Sequence, residues 1–100
     1  MESPTYELID NVAEKRHEFH VDGQVPIVEY IRAGKKIFLT HTEAPVALKG
    51  RGIASALVRQ VLADIERQDL TLIPLCPFVA GYIKRHPEWR KLVLKGINID

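Results

Sequence analysis

The pattern of apolar and polar positions divides the chain into a β-rich first part and a second part with helical periodicity. The first 43 residues contain short stretches that alternate between apolar and polar side chains and are separated by glycine-containing turns, which is typical of antiparallel strands. The predicted strands are residues 6–9, 15–21, 25–32 and 36–43. Pro45 has no amide proton to donate to a ladder, so we expect regular pairing to weaken there.

The periodicity changes at Ile53, after which apolar residues recur at steps of one, three or four positions as far as Ile65. This stripe predicts an amphipathic helix of about four turns. Residues 70–75 are almost wholly apolar and predict a strand that is covered on both faces. Pro77 then begins a shorter predicted helix that extends to about Arg85, and residues 89–94 form a last amphipathic piece.

The predicted order of elements is β-β-β-β-α-β-α. A strand, a helix and a strand of these lengths imply a parallel pair of strands, because such crossovers are right-handed and span parallel neighbours. The predicted fold is therefore of the α/β (α+β) class, with a mixed, mostly antiparallel sheet and one parallel pair. A length of 100 residues predicts a single domain over residues 1–100.

Composition and charge exclude several classes of protein. No apolar run approaches the roughly 20 residues of a membrane span, and the first residues do not resemble a secretion signal. A single cysteine, Cys76, excludes an internal disulfide and a zinc site of several thiolates, and it favours a cytoplasmic location. The net charge of +1 argues against a nucleic-acid partner. Residues 44–100 nevertheless carry 9 Lys and Arg against 5 Asp and Glu, which suits an anionic ligand.

A phosphate-binding candidate lies at the start of the long helix, where two glycines follow Lys49 and flank Arg51. Glycines let the backbone turn tightly and approach a ligand, and the first amides of a helix attract anions. The alternative is a solvated basic turn whose glycines serve the geometry of the chain. The stretch completes neither a Walker motif nor a dinucleotide fingerprint.

Cys76 is the second candidate, because it follows a predicted parallel strand and directly precedes Pro77 at the expected first position of a helix. A thiol at that N-cap lies in the positive field of the helix, and ligands bind at the ends of parallel strands. Pro74 removes a ladder donor, so the two parallel strands are expected to separate there and open a cleft. The alternative is that Cys76 is a small buried apolar residue.

Three further residues are candidates for proton transfer. Period-2 spacing places His41 and Glu43 on one face of their strand and Thr42 on the other, so the first two form either an acid/base pair or an ordinary surface pair. Tyr82 lies one and a half turns into the second helix, either as a proton donor or as a core residue whose hydroxyl reaches solvent.

The two N-terminal histidines do not form a predicted metal site. His17 and His20 fall on opposite faces of a strand without a third ligand, so we expect no metal.

Four sequence blocks in this order resemble the compact, single-domain branch of the GNAT-type N-acetyltransferases. The blocks are H-T-E-A-P, K-G-R-G-I-A-S-A-L-V, I-P-L-C-P-F-V and Y-I-K-R-H-P-E-W, and the likeness covers residues 27–93. The resemblance implies a fold in which the parallel strands splay at a cofactor cleft that binds acetyl-CoA. It implies transfer of an acetyl group to an amine, either of a small molecule or of a protein lysine or N-terminus.

The resemblance also assigns roles to individual residues. The pyrophosphate loop maps onto Lys49, Gly52 and Ala54, with Lys49 in place of the usual Gln or Arg, and Tyr82 takes the place of a general acid. Cys76 is the suspected active-site residue near the thioester. The expected coenzyme-binding set is His41, Thr42, Glu43, Ala44, Lys49, Gly50, Arg51, Gly52, Ile53, Ala54, Ser55 and Cys76.

Two departures from larger members bear on function. The chain stops soon after the second helix, without the strands that help to form their acceptor site, and Cys76 replaces their usual asparagine. An alternative function is therefore a CoA- or acyl-CoA-binding module with little catalysis of its own, and a third is a scaffold without a coenzyme. A small domain with an open cleft is also a candidate homodimer.

Overall fold

The computed structural model describes residues 6–99, and within them it contains one five-stranded sheet. The strands are β1 (Ile9–Asn11), β2 (Arg16–Glu18), β3 (Ile27–Ala33), β4 (Lys36–Glu43) and β5 (Thr71–Pro74), and they lie side by side in chain order. Neighbours pair antiparallel except β4 and β5, which are parallel. The α/β class, the mixed sheet and the order of elements are confirmed.

Two helices pack on one face of this sheet, which we call the helix face. Helix α1 (Ile53–Arg67) connects β4 to β5, and α2 (Pro77–Arg85) follows β5. A single cluster of buried side chains joins both helices to the sheet; its members include Leu57, Val61, Leu62, Val79 and Ile83 from the helices and Val28, Tyr30, Ile37, Leu39 and Leu72 from the strands. No helix among residues 6–99 is both long and apolar enough to cross a membrane.

The bounds of β4, the start of α1 and both ends of α2 agree with the sequence pattern, whereas the first two strands do not. The strand predicted at residues 6–9 is observed at Ile9–Asn11, and the one predicted at 15–21 ends at Glu18. The second prediction is too long because the chain leaves the ladder early and turns at Asp22 and Gly23, both with positive φ. The first is displaced because an edge strand is defined by what it pairs with rather than by its own pattern.

Residues 6–99 also contain three 3₁₀ turns: Val12–Glu14, Val46–Leu48 and Pro87–Leu92. The last replaces most of the amphipathic piece predicted at residues 89–94. After it, Val93 forms a parallel bridge with Leu72, and the Leu94 amide donates to the Leu72 carbonyl at 2.9 Å. The chain after α2 therefore continues the sheet beside β5.

Glu18 gives the fold a dependence on acid. Its carboxylate accepts hydrogen bonds from His20 Nε2 at 2.9 Å and Arg16 Nε at 2.8 Å, and these contacts, with one from Asn11, lower the pKa of Glu18. A carboxylate with a lowered folded-state pKa stabilises the fold above its unfolded pKa, and this contribution is lost as the pH falls through the lowered value.

We therefore expect Glu18→Gln to reduce the acid sensitivity of folding. Urea unfolding between pH 6 and about 3 should show the wild type losing more stability than the variant, because only the wild type must protonate this carboxylate. Glu88→Gln, at an exposed glutamate, is the control and should follow the wild type. Parallel pH profiles for the wild type and Glu18→Gln would contradict the assignment.

Candidate functional site

The glycine loop and the first amides of α1 form a concave backbone surface, which we call the glycine cradle. Gly50 and Gly52 adopt positive φ values of 81° and 70°, and Gly52 is the N-cap of the helix, where it offers no side-chain capping bond. The Ala56 amide donates to the Gly52 carbonyl at 3.0 Å, so the three preceding amides have no acceptor within the helix. Together they carry the positive end of the helix dipole.

A cavity of about 210 Å³ lies directly above these amides. Its polar wall contains Lys49, Gly50, Gly52 and the first helical residues Ile53, Ala54 and Ser55, and Ala44 closes it on the side of β4. The wall thus combines backbone donors with one cationic side chain, which is the arrangement that binds phosphate groups. The structure brings together most of the residues that the sequence analysis assigned to phosphate binding.

Arg51 lies apart from this cavity. Its Nη1 donates to Asp22 Oδ2 at 2.7 Å, in the turn that precedes β3, and this contact raises the pKa of Arg51. Both side chains are largely exposed, so the pair contributes little to stability. Lys49 is therefore the cationic side chain that lines the cavity. Arg51 instead connects the glycine loop to the turn before β3.

The sequence analysis missed an apolar wall of the same cavity. Pro45, Leu48 and Phe78 line it, and Phe78 remains 37% exposed in the first turn of α2. Proximity across the fold, rather than spacing along the chain, brings this ring beside the glycine loop. The one available signal was an aromatic residue immediately after the Cys76-Pro77 helix start.

The parallel strands β4 and β5 separate just after the carbonyl group of Leu39. The ladder between β4 and β5 ends at the pair Leu39 and Pro74, and the Leu39 carbonyl accepts the amides of both Leu75 and Cys76, at 3.0 and 2.9 Å. β4 continues four residues further, to Glu43, without pairing to β5. The separation occurs where Pro74 predicts it, and it leaves one edge of residues 40–43 without a strand partner among the described residues.

A β-bulge in β4 decides which side chains face the helices at this cleft. Glu29 is opposite His41 whereas Tyr30 is opposite Leu39, so Thr40 is an extra residue, and its hydroxyl donates to the Glu29 carbonyl at 3.3 Å. Leu39 and Thr42 consequently both face the helices although they are three residues apart.

Cys76 and Thr42 meet on the helix face of the cleft. Cys76 is the N-cap of α2 and only 4% exposed, and its thiol donates to Thr42 Oγ1 at 3.3 Å rather than to a backbone group of the helix. Burial matches the alternative interpretation of Cys76 as a core residue. Its position where β4 and β5 separate matches the interpretation of Cys76 as an active-site residue.

His41 and Glu43 lie on the opposite face of the sheet from Cys76. Their neighbour Thr42 pairs with Val28 of the helix face, and side chains alternate along a strand. His41 Nε2 is 3.7 Å from Glu43 Oε2, and the two side chains are 54% and 68% exposed. The predicted pair is therefore formed at the mouth of the cleft, in contact with solvent.

Tyr82 lies in the packing between the helices. It is 5% exposed, and its ring centroid is 4.3 Å from that of His86. Burial raises the pKa of Tyr82, Arg59 and Arg85 oppose this rise, and Glu88 adds to it. The phenol is thus protonated at neutral pH, surrounded by helix side chains and in the core cluster that also contains Cys76.

The two N-terminal histidines occupy different environments. His17 is 2% exposed on the helix face, whereas the His20 side chain is 59% exposed and contacts Glu18. Across residues 6–99 no group of three or more His, Cys, Asp or Glu side chains is arranged to hold a metal ion.

Comparisons with known proteins identify the family. The family described as GCN5-related N-acetyl-transferase matches residues 16–92. Protein NATD1 of Xenopus tropicalis is 36% identical over 80 residues, which are 73% of this chain and 72% of that protein. Protein NATD1 of Gallus gallus is 38% identical over 80 residues, covering 73% and 71%. Protein NATD1 of Mus musculus is 39% identical over 67 residues, covering 66% and 59%. With the parted parallel strands and the glycine cradle, these matches establish that the chain belongs to the GCN5-related N-acetyltransferase family.

Proposed function

We propose that this protein binds acetyl-CoA and transfers its acetyl group to an amine. The observation that carries the proposal is the uncapped start of α1, which opens into a cavity of about 210 Å³ beside the parted ends of β4 and β5. The uncapped helix start suits the phosphate groups of the coenzyme, and the parted strands leave room for its extended arm. Membership of the family supports the same ligand.

The residues present fit the coenzyme. The amides of Ile53, Ala54 and Ser55 are available donors for a pyrophosphate, and Lys49 adds a positive charge. The unpaired edge of residues 40–43 offers backbone groups to an extended arm in the manner of an added strand. The exposed ring of Phe78 gives the ligand an apolar contact beside the loop.

The chemistry requires one group that accepts a proton and one that donates a proton. Acetyl-CoA, when bound, supplies an activated thioester. His41, held near Glu43, accepts the proton of the attacking amine, either directly or through water. The Cys76 thiol donates a proton to the leaving sulfur, and the hydroxyl of Thr42 orients that thiol.

Cys76 is a better candidate than Tyr82 for the donor, because it lies where the strands part whereas Tyr82 packs against His86. Direct transfer asks less of Cys76 than a covalent route. A nucleophilic thiol needs a base beside it, and the contact of the Cys76 sulfur is a neutral hydroxyl. We therefore favour direct transfer over an acetyl-Cys76 intermediate.

A CoA-binding module with little catalysis is the second candidate function. The exposure of His41 and Glu43 favours it, because a solvent-exposed pair gives an acceptor few fixed contacts. The two functions share the coenzyme site and differ only in turnover.

Calorimetric titration with acetyl-CoA, followed by incubation with labelled acetyl-CoA and a panel of amines, tests both functions. Saturable binding with acetyl transfer to at least one amine supports the transferase. Binding without transfer to small amines, lysine peptides or protein N-termini supports the module. Absence of heat and of a thermal shift at millimolar acetyl-CoA would refute both.

Substitution of the His41 and Glu43 pair tests the proton-accepting step. In the His41→Ala/Glu43→Gln double variant we expect kcat to fall by about 100-fold, the lower end of what general base catalysis contributes. The dissociation constant for acetyl-CoA should stay within about threefold, because both side chains face away from the glycine cradle. Unchanged kcat would exclude the pair from catalysis. Val12→Ala, at an exposed residue in the first 3₁₀ turn, is the control.

A further inference from the structure

A second, polar cavity of about 440 Å³ lies between the first two strands and the C-terminal half of α1. Asp10 and His17 line it from the sheet, and Asp64, Arg67 and Gln68 line it from the helix. None of these residues belongs to the glycine cradle or to the strand cleft. Asp64 lies ten residues after Ala54 along α1, a rise of about 15 Å, so the two sites are at different ends of the same helix.

The imidazole of His17 is buried and lacks hydrogen bonds. The residue is 2% exposed, and neither ring nitrogen has a hydrogen-bond partner among the described residues. The closest charged group is Asp64, whose Oδ2 is 3.7 Å from Nε2, beyond hydrogen-bond length. A neutral imidazole keeps one donor and one acceptor, and buried polar groups without partners are rare. The hydrogen-bonding capacity of the ring is therefore not satisfied by the described residues.

The groups around His17 are themselves held in place. Asp10 accepts the Tyr30 hydroxyl at 2.5 Å, and the Tyr30 ring packs against His17 with centroids 5.0 Å apart. Asp64 is 7% exposed and accepts from Gln68 Nε2 at 2.7 Å and from Arg67. A cavity with such fixed polar walls presents a defined set of hydrogen-bonding atoms.

The charge of the cavity favours a cation. Burial lowers the pKa of His17, against the opposing effects of Asp10 and Asp64, so the ring is neutral at pH 7. Two carboxylates then face one guanidinium, which leaves the walls with an excess of negative charge. A metal ion does not suit the site, because the described residues contain no suitable group of three ligands. A cation that carries its own N–H donors suits the site better.

We propose that this cavity binds a small organic ammonium ligand, which donates to the unprotonated ring nitrogen of His17 and to the carboxylates of Asp10 and Asp64. His17 Nε2 and Asp64 Oδ2 are 3.7 Å apart, and because the ring nitrogens are almost completely buried, an ammonium nitrogen would reach both atoms only after the side chains separate slightly. The cavity shares no lining residue with the cavity at the glycine cradle.

Titration with n-butylammonium, followed through the ring nitrogens of His17 by ¹⁵N NMR, tests the proposal directly. We expect a saturable shift of the ring resonances that tetramethylammonium, which lacks N–H donors, and butyrate, an anion, do not produce. A non-saturable response, or the same response to tetramethylammonium, would overturn the proposal and leave the cavity as a hydrated pocket.

Two variants separate the site from a structural role. Asp64→Asn should weaken n-butylammonium binding at least tenfold, whereas Asp69→Asn makes the same charge change just beyond the end of α1 and should bind like the wild type. His17→Phe should remain folded by circular dichroism, lose binding in calorimetry, and keep its affinity for acetyl-CoA. Retention of n-butylammonium binding in either Asp64→Asn or His17→Phe would refute the assignment.

Discussion

Replacement of Gly52 by valine is expected to raise the dissociation constant for acetyl-CoA by about 100-fold. Gly52 has φ +70°, and a β-branched residue in this left-handed conformation costs about 1–2 kcal/mol, which displaces the first amides of α1. No heavy atom lies within 4 Å of a Cβ built at this position, so on the protein side the valine meets open space. Loss of about two hydrogen bonds to a charged phosphate, roughly 3 kcal/mol in all, gives the expected factor. Calorimetric titration measures it.

Gly34→Val is a closely matched control for this experiment. Gly34 has φ +60° in the turn between β3 and β4, and a Cβ there also meets nothing within 4 Å. Its substitution should therefore lower Tm by a similar amount while leaving coenzyme affinity unchanged. Equal affinity of the Gly52→Val variant and the wild type would show that the loop does not bind the coenzyme. A similar loss of affinity in Gly34→Val would attribute the effect to general destabilisation.

Replacement of Cys76 by alanine is expected to lower kcat by about 100-fold with little change in the dissociation constant for acetyl-CoA. The thiol lies where β4 and β5 part, so its removal eliminates the proposed proton donor without touching the glycine cradle. Steady-state kinetics with the best acceptor amine measures the effect. Retention of most of the turnover would exclude Cys76 both as a proton donor and as a covalent carrier of the acetyl group.

Tyr82→Phe and intact-mass measurement complete this test. Tyr82 packs against His86, and the variant keeps the ring, so we expect kcat to change by less than about threefold. A loss larger than that of Cys76→Ala would transfer the role of proton donor to the phenol. In the wild type incubated with acetyl-CoA alone, direct transfer predicts no gain of one acetyl group in mass. Such a gain, absent in Cys76→Ala, would instead establish the covalent route.

Local sequence signals predicted the elements that carry the glycine cradle. Lys36–Glu43, the start of α1 at Ile53 and the helix Pro77–Arg85 all follow from periodicity and from proline or glycine at their ends. The short edge strands were misplaced, because three-residue strands such as Ile9–Asn11 depend on their pairing partner more than on their own side chains. The roles of Arg51 and Phe78 depend on contacts with distant parts of the chain, to Asp22 and to the glycine loop.

The face of each residue at the cleft was only partly predictable. Period-2 alternation correctly separates Thr42 from His41 and Glu43, but it does not say which of them joins the helices. Counting from the buried Leu39 without interruption would place His41 beside the helices and Thr42 outside. The bulge at Thr40 reverses this assignment, and nothing in the local sequence reports an extra residue in a strand.

The bulge in β4 decides which face of the sheet each side chain after Thr40 occupies. If Thr40 paired as an ordinary residue opposite Glu29, uninterrupted alternation would turn Thr42 away from Cys76 and bring His41 and Glu43 from the solvent side into the packed interior. Deletion of Thr40 would not do this, because His41 would stay opposite Glu29. A shift of one residue in register would thus exchange the face that carries Thr42 with the face that carries His41 and Glu43. In this protein the unpaired position of Thr40 in β4, more than the identity of any one side chain, sets which residues lie beside Cys76 and which face solvent.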